Sequence, residues 1–130
     1  MSLVGPKAEA FIGDSAVKKY AGARFRARVE FTDDGTAFDP TTVRCTYQLP
    51  GTGATPGRKA TITYGDDRRI VRHATGVYSV RLRPKYAGQL TVVWEAEGTN
   101  QETIVESTAT IHPLPELAQG FTAPVSDDDR

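Results

Sequence analysis

The sequence has a single cysteine, a single tryptophan, a single asparagine and no net charge. Each scarcity excludes something. With Cys45 alone, no intramolecular disulfide can form, so the fold must rest on an apolar core and not on the staples that small extracellular domains use. Asn100 is followed by Gln101 and Glu102, which leaves no N-glycosylation acceptor. Nowhere do about eighteen apolar residues run together, and Met1 to Ala10 carries Pro6, Lys7 and Glu9 where a secretory leader needs an apolar stretch. The expectation is a soluble chain made in the cytosol and not secreted. Sixteen basic residues balance sixteen acidic ones, so no sustained positive field points to nucleic acid or to an anionic membrane.

Alternation of period two fills much of what remains. From Phe25, the residues Phe25, Ala27, Val29 and Phe31 share one side while Arg24, Arg26, Arg28 and Glu30 share the other, the pattern of a half-buried strand. Asp33-Asp34-Gly35 supplies turn chemistry and Asp39-Pro40 closes the loop that follows. Val43, Cys45, Tyr47 and Leu49 alternate with polar neighbours up to Pro50. The run Pro50 to Arg58, rich in glycine, proline and threonine, reads as an exposed flexible loop. Ala60, Ile62 and Tyr64 form a short strand, and Ile70 with Val71 another. Tyr78, Val80 and Leu82 then alternate with Ser79, Arg81 and Arg83, and the chain returns as Leu90, Val92, Trp94 and Ala96. A last strand, about Ile104 to Ile111, ends before Pro113 and Pro115. Only Gly13 to Tyr20 offers a possible helix.

About seven short strands with turn signals every eight to twelve residues or so predict an all-β fold, an immunoglobulin-like antiparallel β-sandwich. The boundaries expected are an N-terminal arm over residues 1–15, the sandwich over 16–112 and a C-terminal arm over 113–130. The expected core is Phe25, Val29, Phe31, Tyr78, Val80, Leu82, Tyr86, Val92 and Trp94. Trp94 should fill the space between the sheets with its N–H bonded at the edge, and Tyr86 should form a tyrosine corner.

The candidates for chemistry have plainer readings. Asp33, Asp34, Asp39, Asp66 and Asp67 lack the spacing of a calcium loop and read as turn residues. His73 and His112 lack the partners and spacing of a zinc site. No serine sits in a strained elbow beside a marked base, and Gly51 to Gly57 lacks the ending of a phosphate loop. Cys45, on an apolar face, reads as a packed thiol. No metal, cofactor or enzymatic activity is therefore expected. The suggestive surface feature is Arg24, Arg26 and Arg28 on one outward face, either a solvated strand or a stripe that meets an acidic surface by bidentate pairing.

The segments Thr75-Gly76-Val77-Tyr78-Ser79-Val80-Arg81-Leu82-Arg83-Pro84, Ala87-Gly88-Gln89-Leu90 and Val93-Trp94-Glu95-Ala96-Glu97-Gly98 resemble small immunoglobulin-like structural proteins of tailed bacteriophages, of the head decoration, neck or tail accessory type. The opening at Phe25 to Pro40, with a strand, an Asp-Gly turn and an Asp-Pro-Thr step, resembles them too, and the resemblance spans about Val17 to His112. It implies a virion location and virion proteins as partners, with several copies in a symmetric assembly. In such an arrangement Leu3, Val4 and Phe11 in front, and Leu114, Leu117, Phe121 and Val125 behind, would anchor the arms on neighbours, as an ordering segment needs apolar anchors. The rival expectation is a recognition module that contacts a host-surface glycan or protein through the loops Gly51 to Gly57 and Gly98 to Thr103.

Overall fold

A computed structural model of the chain describes residues 6–14, 16–98 and 102–114. Ten strands follow one another: β1 (Pro6–Ile12), β2 (Lys19–Tyr20), β3 (Phe25–Asp33), β4 (Thr36–Ala37), β5 (Thr42–Gln48), β6 (Lys59–Thr63), β7 (Ile70–Ala74), β8 (Val77–Leu82), β9 (Gly88–Glu97) and β10 (Glu102–His112). They make two sheets. One has the order β1-β3-β8-β7, with β4 beside the end of β3, and the other β2-β10-β9-β5-β6. Strand pairing is antiparallel except where β2 runs parallel to β10. This order, with β3 and β8, the second and sixth of the eight longer strands, central in one sheet and β5 and β9, the third and seventh, central in the other, is that of an immunoglobulin-like sandwich.

The inner faces of the two sheets meet in one core. Ala27, Val29, Phe31, Tyr78, Val80 and Leu82 of the first sheet pack against Val43, Cys45, Leu90, Val92 and Trp94 of the second, all buried. Phe25 is half-buried against the same cluster. Trp94 is fully buried on central β9, between Cys45 of β5 and Val105 of β10. That central position keeps its indole N–H away from any sheet edge, and among the described residues Nε1 has no hydrogen-bond partner, contrary to the expectation of an edge bond.

Three further expectations need correction. The N-terminal arm is not an arm over its second half: Pro6–Ile12 pairs along the whole of β3, from Pro6 opposite Asp33 to Ile12 opposite Ala27. The alternation was muted because two of the inner positions are only alanines, Ala8 and Ala10. The possible helix at Gly13 to Tyr20 is instead a turn. The Val17 N–H donates to the Asp14 carbonyl at 3.0 Å and the Asp14 carboxylate accepts from the Ala16 N–H at 2.9 Å, but the single turn goes no further because β2 begins at Lys19. Tyr86 is neither core nor corner. It is 41% exposed with the Lys85 ammonium 5.7 Å from its ring centroid, while Pro84 is buried at that end. The Pro84 carbonyl accepts from the Gly22 N–H at 2.7 Å, so proline and not tyrosine closes the passage from β8 to β9.

Leu3, Val4, Leu117, Phe121, Val125 and the run Asp127 to Asp129 lie outside the described residues.

Candidate docking faces

Strand alternation sends Arg26 and Arg28 of β3 and Arg81 of β8 to the outer face of the first sheet, with Arg24 and Arg83 exposed just beyond the strand ends. The register then does something that the sequence did not reveal. Arg26 lies directly opposite Arg81, and like charges at facing positions repel and cost stability. The two arginines of β3 are consequently not equivalent. Arg28 is satisfied locally: its Nη2 sits 2.8 Å from Glu30 Oε2 and its guanidinium 5.2 Å from the Phe11 ring centroid. Arg83 donates through Nε to the Gly22 carbonyl at 3.0 Å. The Arg26–Arg81 pair opens on a shallow cleft of about 270 Å³ that Arg68, Arg69, Val71 and Ser79 complete. Arg69 is tethered there, donating to both Asp67 carboxylate oxygens and, at 2.7 Å, to the Tyr47 hydroxyl.

Beside this cleft a wider hollow, about 580 Å³, is lined by Phe11, Asp14, Arg26, Arg28, His73 and Ser79, among others. Here the His73 Nε2 and Ser79 Oγ atoms lie 2.6 Å apart. A nucleophile needs access to its substrate, and Ser79 is only 2% exposed. The pair fastens β7 to β8 where their register shifts between Arg72 and Ala74. His112, at the end of β10 in the other sheet, lies against Tyr20 with ring centroids 5.9 Å apart.

The aspartates are turn residues with added duties. Asp34 and Gly35 both take positive φ, 54° and 85°, and make the tight reversal between β3 and β4. Asp39 does more than close a loop. Its carboxylate accepts from Arg72, from the Gly76 N–H at 2.8 Å and from the Tyr78 hydroxyl at 3.0 Å, so it ties the connection before β5 to the β7–β8 hairpin. The Arg72 guanidinium above all, with Gly76, pulls the Asp39 pKa from its usual 3.8 to about 2. Arg69 does the same for Asp67, also to about 2. Burial alone raises the Cys45 thiol to about 12, the mark of a packed side chain rather than a reactive one.

The two loops of the rival expectation do not converge. Gln48 at the end of β5 faces Thr91 near the start of β9, whereas Thr42 faces Glu97 at the end of β9. The Pro50 to Arg58 loop thus leaves one end of the sandwich, while Glu97 and Glu102 mark the other, about 30 Å away along β9; residues 99–101 of the second expected loop lie outside the described residues. The first loop is also tied down: the Thr52 N–H donates to the Thr55 carbonyl at 2.8 Å and Gln48 Nε2 to the Gly57 carbonyl at 2.9 Å. Of the expected arm anchors, Phe11 is 38% exposed on β1 and Leu114 44% exposed just past β10.

No protein-family model matches this chain, and no curated protein is significantly similar to it. Solved structures of similar outline include a conjugative transposon lipoprotein from Bacteroides eggerthii, at 15% identity, TM-score 0.41, with 82% of this chain and 97% of that one covered. The bacterial hydrophobin BslA has 13% identity and a TM-score of 0.43 over 85% of this chain and 100% of its own. A superoxide reductase (neelaredoxin) from Ignicoccus hospitalis has 16% identity and a TM-score of 0.43 over 86% of this chain and 82% of its own. At TM-scores below 0.5 nothing about function passes from them to this chain.

Proposed function

We propose that this chain is a non-enzymatic virion structural protein of a tailed phage, an immunoglobulin-like sandwich that docks on head, neck or tail subunits. The observation that carries the docking part is the outer face of the β1-β3-β8-β7 sheet, where Arg26 and Arg81 face each other beside a shallow cleft. A repulsive pair of bidentate donors costs a free monomer stability and is offset when carboxylates of a neighbour pair with both guanidinium groups. The phage assignment is supported by the sequence resemblance from Val17 to His112. The loop-recognition reading is the weaker one, since the strand ends that would carry its two loops, Gln48 and Glu97, lie at opposite ends of the fold.

The test is quantitative mass spectrometry of purified phage particles from a host supplying either the wild-type chain or Arg26→Glu/Arg81→Glu. Wild type is expected at a fixed stoichiometry and the variant depleted about tenfold or more. Absence of the wild-type chain from particles would overturn the virion reading.

A further inference from the structure

Zero net charge conceals a separation of charge. The outer face of the first sheet projects Lys7, Arg24, Arg26, Arg28, Arg81 and Arg83 against Glu9 and Glu30. The outer face of the second sheet projects Glu95 and Glu97 of β9 and Glu102 and Glu106 of β10 against Arg44 and Lys59. The Arg26–Arg81 and Glu97–Glu102 positions also sit at opposite ends. Arg83 is bonded to Gly22 where β8 leaves for β9, while Glu97 and Glu102 flank the far end of β9.

Each pole carries the same kind of internal conflict. Arg26 faces Arg81 on one, and Glu97 faces Glu102 on the other, where Arg44 lies 4.0 Å from Glu97. Directly opposed like charges weaken a sheet unless something of opposite sign covers them. Each pole also exposes apolar surface beside the charges: Val71 at 48% on the basic face and Ile104 at 59% on the acidic one. A long polyanion such as nucleic acid fits the basic face poorly, because Glu9 and Glu30, at facing positions, interrupt the stripe.

We infer that the basic face of one copy of this chain docks on the acidic face of a second copy, head to tail, with the Arg26–Arg81 pair set against the Glu97–Glu102 pair. Because the contact joins two different surfaces, it leaves one face of each kind open, and copies add until a ring closes or a filament grows. This deepens the docking reading by naming the neighbour. A chain that joins particles but never self-associates overturns this inference alone.

Sedimentation velocity of the full chain over a range of concentrations tests it. At about 20 mM salt the sedimentation coefficient should rise with concentration, and at about 500 mM salt, where the screening length shrinks to about 4 Å, it should return to that of a monomer. Arg26→Glu/Arg81→Glu and Glu97→Lys/Glu102→Lys should each weaken self-association about tenfold or more, and an equimolar mixture of the two should restore it. Restoration cannot come from misfolded variants, and circular dichroism checks each one. A wild-type monomer at every concentration in low salt overturns the inference, as does association that is indifferent to salt and to both reversals, or a mixture that fails to reassemble.

Discussion

Asp39 shows how much one side chain can hold at the surface of a sandwich. It is 38% exposed, yet it satisfies the N–H of buried Gly76 and the hydroxyl of buried Tyr78 as well as Arg72. Removing it leaves those donors without their acceptor, so Asp39→Ala should cost about 1–3 kcal/mol in urea denaturation, and Asp39→Asn, which keeps one acceptor oxygen, should cost less. Its pKa lies below the unfolded value, and so does that of Asp67. The stability they contribute is therefore fully present above about pH 4 and is lost as pH falls toward about 2. The melting temperature of the wild type should drop more steeply across that window than that of Asp39→Asn. Cys45 gives the opposite kind of residue: fully buried and with its thiol held up to about 12, it should resist alkylation at pH 8 in the native state and react once the chain is unfolded.

At the scale of elements, β1 tests the corrected domain boundary. Its pairing runs the length of β3, so deleting residues 1–12 should expose the β3 edge, lower the melting temperature and promote aggregation, whereas removal of an arm would leave the melting temperature unchanged. The β7–β8 turn makes a second test. Gly76 has φ +77°, and a Cβ there would come within 2.6 Å of the Phe31 carbonyl oxygen and 2.8 Å of that of Phe38, so Gly76→Ala should destabilise by about 2 kcal/mol or more, read by thermal or chemical denaturation. These two elements also mark what was legible in the sequence. Strands with large alternating side chains, such as β3, β8 and β9, announced themselves and their buried faces. β1 did not, because alanine gives little contrast with its polar neighbours, and Asp14 hid a turn inside what looked like a helical spacing. The docking face was half legible. Arg24, Arg26 and Arg28 were visible as a row, but which of them is spent and which is left opposed depends on register: Arg28 meets Phe11 and Glu30, and Arg26 meets Arg81. Register is a long-range property that no single strand's sequence specifies.

For the whole molecule, the immunoglobulin-like order of strands places two broad outer faces back to back. Here the faces carry the unbalanced charges. The central claim is that the β3–β8 face is the working surface. Footprinting with an arginine-selective dicarbonyl reagent, read residue by residue by mass spectrometry, tests it on the free chain and on the chain within purified particles. Arg26 and Arg81 should lose reactivity on assembly while Arg58, in the loop after β5, keeps its own. Arg26 and Arg81 equally reactive in both states, with protection confined to Arg58, would contradict the account.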